Sequence, residues 1–258
     1  SYDTDSDFSD FLNKVRIKSK IEFSEIALSD MAYFVPALDG IREHISISGE
    51  FKGTISQLKG KNLKINYGEN TRFSGNISLS GLPNIDETFI DLKIVNFQTS
   101  KADIERIPLP PFSENKRLEV PKNLSTLGNI NLSGKFTGFI NDFVAYGTLN
   151  TAIGKISSDI NLKNDPKTSV KSYSGHFAAD NLNLGRFLSN EKNLGSVSIQ
   201  ADIKGSGLEF DKMSVVFDGN ISQLHFNGYS YHNISLKAKL ARKIITTELN
   251  INDSHLGL

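Results

Sequence analysis

The sequence has no cysteine, no excess of charge of either sign and no long apolar run, and each absence excludes a class of protein. Without cysteine there are no disulfides, no thiolate chemistry and no cysteine-ligated metals. The 29 lysine and arginine residues balance 29 aspartate and glutamate residues, whereas a nucleic-acid surface needs clustered positive charge. No apolar run approaches the roughly 18 to 20 residues of a membrane-spanning helix, and the first residues do not show the charged-then-apolar pattern of a signal peptide.

Alternation of apolar and polar residues is the strongest pattern that is present. Period-two segments follow one another along most of the chain, which is typical of strands with one dry and one wet face. The intervening stretches YGEN, KNDPKT, FDGN and FNGYS are rich in residues that tolerate tight hairpin turns. The pattern predicts an all-β antiparallel meander, with short helices near residues 29–38 and 183–189.

Three of the predicted strands resemble one another and place glycine on their apolar side. They are ISISGEFKGTI (45–55), INLSGKFTGFI (130–140) and VSIQADIKGSGL (197–208). Such self-similarity indicates a repeat architecture, and we expect one elongated repeat region over 1–258 with loose repeats near 15–97, 98–163 and 170–258. The apolar positions of the three copies are Ile45, Ile47, Phe51, Ile55, Ile130, Leu132, Phe136, Ile140, Val197, Ile199 and Ile203. Their glycines are Gly49, Gly53, Gly134, Gly138 and Gly205.

The proline-rich stretch PLPPF at 108–112 interrupts the strand pattern. Prolines at this density cannot join a sheet ladder, so we interpret residues 108–111 as an extended connector between repeats. The alternative is a docking point for a partner or a plug at one opening of a groove.

Four longer stretches carry a resemblance to a known family. They are LSDMAYFVPAL, NISLSGLPNIDETFIDL, LGNINLSGKFTGFINDFVAYGTLNTAIGKISSDINL and FAADNLNLGRFLSNEKNLGSVSIQADIKGSGL. These stretches resemble the periplasmic repeats of the TamB (translocation and assembly module) family, and the resemblance extends over most of the chain. That family belongs to the AsmA-like group and to the bridge-like lipid transfer proteins.

The resemblance implies a long antiparallel sheet curled into a U-shaped groove, often called a β-taco. It also implies a phospholipid conduit between the inner and outer membranes of a Gram-negative envelope, without catalysis or cofactors, that supports outer-membrane biogenesis. The expected location is the periplasm, with an inner-membrane anchor and a TamA-type outer-membrane barrel partner bound by other parts of a longer protein. The sequence at hand would then be an internal segment of that protein.

Under this hypothesis the eleven apolar positions line the groove and contact phospholipid acyl chains, while the glycines relieve crowding on its concave side. Alternation alone is equally typical of a sandwich, in which the same face packs against a second sheet and glycines mark bulges or corners. Two functions therefore stay open: a lipid conduit, and a structural or interaction module such as a scaffold or adhesin with an ordinary protein core.

No constellation of residues predicts catalysis. The five histidines lack a paired-ligand spacing, and His176 and His225 fall on the polar side of their predicted strands. The acidic start DTDSDFSD lacks the glycine and the final glutamate of a calcium loop, because Phe8 and Lys14 stand at those places. Five Asn-x-Ser tripeptides, at Asn76, Asn123, Asn131, Asn220 and Asn233, fit strand alternation with outward polar residues and are not interpreted as glycan acceptors.

Overall fold

The structure is a computed structural model that describes residues 5–33, 43–107, 117–118, 120, 122–165, 168, 170–207, 213–241 and 243–253. Most of these residues lie in antiparallel strands, and the helices are short. The prediction of an all-β antiparallel protein is therefore confirmed. The proline-rich connector and the second half of the helix expected over 29–38 lie outside the described residues.

The chain divides into two compact units. Unit 1 comprises residues 1–122 and 129–140, and unit 2 comprises residues 123–128 and 141–258. In each unit the order of the strands in the sheet is their order in the sequence, as the alternation predicted for a meander.

The strands of unit 1 are β1 (Ile17–Ala27), β2 (His44–Gly53), β3 (Gln57–Tyr67), β4 (Thr71–Ser80), β5 (Phe89–Thr99) and β6 (Ile130–Phe139). The strands of unit 2 are β7 (Asp142–Thr151), β8 (Gly154–Asn164), β9 (Lys171–Asn183), β10 (Leu194–Ser206), β11 (Ser214–Phe226), β12 (Tyr229–Ala241) and β13 (Ile244–Ile251). Four-residue α-helices are α1 (Phe11–Lys14), α2 (Lys101–Ile104) and α3 (Leu184–Phe187). The 3-10 helices are Asp5–Asp10, Leu28–Tyr33, Ile85–Glu87 and Lys122–Leu127.

The tight turns use the residues that the sequence provides for them. Asn227 and Gly228, the two residues between β11 and β12, have φ values of 49° and 78°. Two positive φ values in a two-residue loop are typical of the hairpin turns that match strand twist. The FNGYS stretch is thus a hairpin, as predicted.

The two predicted helical breaks are both short. α3 falls inside the predicted range of 183–189, and the Asn183 side chain caps it by accepting a hydrogen bond from the Arg186 backbone N–H at 2.8 Å. The described part of the earlier break, Leu28–Tyr33, is a 3-10 helix.

Candidate functional site

Cross-strand pairing in unit 1 places the apolar residues of five strands on one side of the sheet. Directly paired residues of antiparallel strands project to the same side, so a row of partners can be followed from β2 to β6. One row is Ile47, Ile65, Phe73, Phe97 and Leu132, and a second is Phe51, Gly60, Ile77, Leu92 and Phe136. We call the side formed by these two rows apolar face 1.

The opposite side of unit 1 is polar. One row on this side, adjacent to the row of Phe51, comprises Lys52, Lys59, Ser78, Asp91 and Thr137. The Lys135 ammonium lies 3.3 Å from the Asp91 carboxylate on this side. Both partners of that ion pair are well exposed, so the pair favours a wet surface and adds little to stability.

Unit 2 has the same division. One apolar row is Phe143, Leu162, Tyr173, Gly205, Val215, Leu240 and Ile245, and the next is Ala145, Ile160, Gly175, Ile203, Phe217, Ala238 and Thr247. We call the side formed by these rows apolar face 2. The row that alternates with them is Tyr146, Asp159, His176, Asp202, Asp218, Lys237 and Glu248, which defines the wet face of this unit.

Apolar face 2 contains a cavity of about 350 Å³. The apolar-face residues that line it are Ile160, Leu162, Tyr173, Gly175, Phe177 and Ile203. Burial raises the pKa of the Tyr173 phenol above its ordinary value, so this hydroxyl stays neutral at physiological pH. The two rows that define face 2 contain no charged side chain, which suits an apolar ligand.

The residues of the two apolar faces differ widely in their exposure to solvent. Leu63 and Ile234 are only 3% exposed, as in an ordinary core, whereas Ile160 is 44% exposed. Phe51, Phe73, Phe97, Leu132 and Phe136 on face 1 are all partly exposed. Contiguous apolar surface that stays accessible in this way marks an interaction or ligand-binding surface.

Two of the predicted glycines, Gly53 and Gly205, make room for neighbouring protein atoms. A Cβ added at Gly53 would lie 2.0 Å from the backbone oxygen of Gln57, and the φ of this glycine is 122°. A Cβ added at Gly205 would lie 2.6 Å from the Tyr173 ring, which therefore packs directly over this glycine. The gap that Gly205 leaves on the apolar side is thus filled by a side chain of the neighbouring strand β9.

The predicted lining residues fall into three groups. Four are buried: Ile47, Ile55, Ile130 and Val197. Six are partly exposed: Ile45, Phe51, Leu132, Phe136, Ile199 and Ile203. The third group is Ile140 alone, which is exposed. Ile55 and Ile140 lie beyond the ends of β2 and β6, because those strands stop at Gly53 and Phe139. Ile140 is 42% exposed in the turn that follows β6. Gly49, Gly53, Gly134 and Gly138 lie within β2 and β6, and Gly205 lies within β10.

Several residues of the cavity on face 2 were not among the predicted site residues. Tyr173 and Phe177 of β9 line it together with Ile160 and Leu162 of β8. The signal was available in the alternation of YSGHFAA, where Tyr173, Gly175, Phe177 and Ala179 share a side. It was missed because the prediction relied on the three similar glycine-spaced strands alone.

A buried aspartate fixes the β3–β4 turn beside one end of apolar face 1. The Asp103 carboxylate of α2 accepts hydrogen bonds from the Asn70 backbone N–H at 2.7 Å and the Thr71 hydroxyl at 3.0 Å. Burial by itself would raise the pKa of this carboxyl, but these hydrogen bonds and one from the Glu69 N–H hold the pKa below its ordinary value. We call this arrangement the Asp103 clip.

A second cavity, of about 540 Å³, lies next to the Asp103 clip in unit 1. Its charged side chains include Arg106 and Arg117, and both are already paired. Arg117 donates to the Glu43 carboxylate, and Arg106 lies 3.5 Å from the Glu69 carboxylate. Because both arginines bind carboxylates of the protein itself, we assign this cavity a structural role beside the turn and do not count it as a ligand site.

The histidines and acidic residues do not assemble a chemical centre in the described part of the chain. His176 is exposed on the wet face, where its Nδ1 lies 3.2 Å from Asp202 Oδ1. Within the described ranges, no group of three or more histidine, aspartate or glutamate side chains is arranged to hold a metal ion. None of the helices among those residues has the length and apolar character needed to cross a membrane.

Two apolar faces, each opposite a wet face and one with an apolar cavity, are therefore the candidate site. Comparison of the chain with protein-family models, with curated proteins and with solved structures finds no match.

Proposed function

We propose that the protein is a non-enzymatic phospholipid conduit, in which apolar faces 1 and 2 contact acyl chains. The observation that carries this proposal is the continuity of the apolar rows across five strands in unit 1 and seven in unit 2, combined with their partial exposure. A conduit needs an uninterrupted apolar path and no reactive residues, and the rows supply such a path within each unit.

The energetics favour an acyl-chain ligand. Moving one methylene group from water to an apolar surface contributes about 0.8 kcal/mol, so a dozen methylenes against face 2 would contribute on the order of 10 kcal/mol. The partly exposed side chains would gain burial at the same time. A charged or strongly polar ligand would lose its hydration on these faces without gaining hydrogen bonds.

Wider assignments follow from the resemblance to the TamB family and are part of the proposal. The first is membership of the AsmA-like, bridge-like lipid transfer group. They also include a periplasmic location between inner and outer membranes, and a TamA-type barrel partner for other parts of a longer protein.

The experiment compares lipid binding and transfer between two matched variants. Ile160→Asp puts a charge on face 2 beside the cavity, and Val144→Asp puts the same charge on the wet side of the adjacent strand, where Val144 is also exposed. We expect native mass spectrometry to detect co-purified phospholipid on the wild type and on Val144→Asp, and to detect little on Ile160→Asp. Transfer of a fluorescent phospholipid between vesicles should follow the same order.

The alternative, a structural or interaction module with an ordinary core, predicts a different result. Purified wild type would then carry no phospholipid and would not accelerate transfer between vesicles. Urea unfolding of all three proteins separates a lost site from a lost fold, because Ile160 is partly exposed and its replacement should leave unit 2 folded.

A further inference from the structure

The wet face of unit 2 carries a repeated tripeptide that the lipid proposal does not use. Asn220–Ser222, Asn233–Ser235 and Asn250–Asn252 read Asn-Ile-Ser, Asn-Ile-Ser and Asn-Ile-Asn in three successive strands. Their central isoleucines are direct partners in the sheet: Ile221 pairs with Ile234, and Ile234 pairs with Ile251. The three tripeptides therefore lie side by side in register.

This register gathers amide groups on one surface. Side chains alternate along a strand, so the residues that flank each isoleucine project to the wet side. Gln200 of β10 extends the row, because it pairs with Asn220. We call the group of five amides the amide cradle: Gln200, Asn220, Asn233, Asn250 and Asn252.

The amide cradle lines a concavity of about 480 Å³. Ser222 and Ser235 add hydroxyl groups to the lining, which has no charged side chain. The row beside it is charged and contains Asp218, Lys237 and Glu248. The neutral patch is thus a local departure from the charged surface around it.

The five amide side chains have no hydrogen-bond partner among the described residues. A purely structural amide ladder would bond one amide to the next along the sheet. Each free amide here offers one carbonyl acceptor and two N–H donors to an external molecule. Asn233 also has a backbone role, since its φ is 53° and asparagine tolerates this conformation.

We propose that the amide cradle binds a neutral oligosaccharide. An amide can accept from one hydroxyl and donate to its neighbour, which matches the adjacent hydroxyls of a sugar ring. The absence of charge in the lining disfavours phosphate and carboxylate ligands. Its two apolar members, Ile221 and Ile234, are buried, which disfavours binding of apolar peptide side chains. The volume lies within the range of small-molecule sites.

The test titrates the protein with maltotetraose and chitotetraose and follows binding by NMR and calorimetry. The variant is the pair Asn220→Ala and Asn250→Ala, which leaves Asn233 and its backbone conformation intact. The control is Asn66→Ala with Asn96→Ala, two exposed amides on β3 and β5 of unit 1. A second pair, Asn220→Ser and Asn250→Ser, replaces the alanine pair if that pair fails to fold.

We expect saturable binding of at least one sugar by the wild type and the control. Loss of two neutral amides should weaken that binding about tenfold, since each contributes one or two modest hydrogen bonds. Absence of saturable binding in the millimolar range, or equal affinity in the alanine pair, would overturn the proposal. Dimerisation that buries the cradle and that the alanine pair abolishes would overturn it as well.

Discussion

At the scale of single residues, the apolar faces contain glycines for two different reasons. Gly53 ends β2 with a positive φ, and its missing Cβ lets the backbone of Gln57 approach closely. Gly205 has no special backbone conformation, and the nearest atoms to its missing Cβ belong to the Tyr173 ring. A ring can move by a small rotation, whereas a backbone oxygen in the next strand cannot move without changing the sheet.

This difference predicts unequal effects of alanine at the two positions. Gly53→Ala should lower the free energy of unfolding by about 2 kcal/mol or more, because it adds strain at positive φ to a clash with backbone. Gly205→Ala should cost less than about 1 kcal/mol, because the Tyr173 ring can shift. Urea unfolding curves measure both. Equal losses at the two positions would contradict the account of why these glycines are present.

At the scale of secondary-structure elements, the Asp103 clip joins α2 to the turn between β3 and β4. Ser100 caps the same helix by accepting a hydrogen bond from the Asp103 N–H at 3.3 Å. The short segment from Ser100 to Asp103 thus stabilises both the start of α2 and the turn between β3 and β4. The clip also fixes the strand ends that carry Tyr67, whose hydroxyl donates to the Arg106 carbonyl at 3.1 Å.

The clip predicts a loss of stability in acid. The folded pKa of Asp103 lies below its unfolded value of 3.8, so the stabilisation is fully present above that value and is lost as the pH falls through the folded pKa. Asp103→Asn should destabilise unit 1 by about 2 kcal/mol at pH 7, because it removes hydrogen bonds to a charged acceptor. The difference from wild type should shrink towards pH 3, measured by urea unfolding.

Asp86→Asn is the control, since Asp86 is an exposed carboxylate in the 3-10 helix Ile85–Glu87 of the same unit. It should change stability little at either pH. A constant difference between Asp103→Asn and wild type from pH 7 to pH 3 would show that the carboxylate charge has no part in the clip.

The elements themselves could largely be predicted from the sequence. Strand alternation and turn residues are local signals, so the meander, the hairpin at Asn227–Gly228 and α3 followed from them. The sequence did not predict where β2 and β6 end. The alternation of apolar and polar residues continues to Ile55 and Ile140, beyond the last residues of these strands. The Asp103 clip was also missed, since its contact with Asn70 joins residues 33 positions apart.

At the scale of the whole molecule, the sequence predicts which residues form the apolar faces but not how far each side chain is exposed to solvent. Alternation determines which side chains share a face, and it placed Ile47, Phe136 and Ile203 on apolar sides. How much of each side chain stays exposed depends on neighbouring strands and turns. Leu63 and Ile160 have the same apolar character in the sequence, and yet Leu63 is 3% exposed and Ile160 is 44% exposed.

Another whole-molecule feature is the exposed strand β13. All eight of its residues are exposed, and among the described residues it pairs with β12 alone. Ile245 is 66% exposed and continues the row of apolar face 2. An unpaired edge with apolar side chains favours association with a further strand.

We therefore expect concentration-dependent self-association in sedimentation experiments. Ile245→Lys should weaken it, because a charge on the apolar side of an edge opposes strand addition. Thr246→Lys adds the same charge one residue away on the wet side and should leave the association unchanged. A wild type that stays monomeric at all concentrations, or equal behaviour of the two lysine variants, would contradict this expectation.

The central claim is that apolar face 2 contacts lipid, and photocrosslinking tests it most directly. Phe177 lines the cavity on face 2, and Tyr146 lies on the wet side of β7, so p-benzoylphenylalanine can replace an aromatic residue at each position. After incubation with phosphatidylethanolamine vesicles and irradiation, the Phe177 variant should gain the mass of a phospholipid and the Tyr146 variant should not. Crosslinks from Phe177 to protein alone, or equal lipid adducts at both positions, would contradict the account.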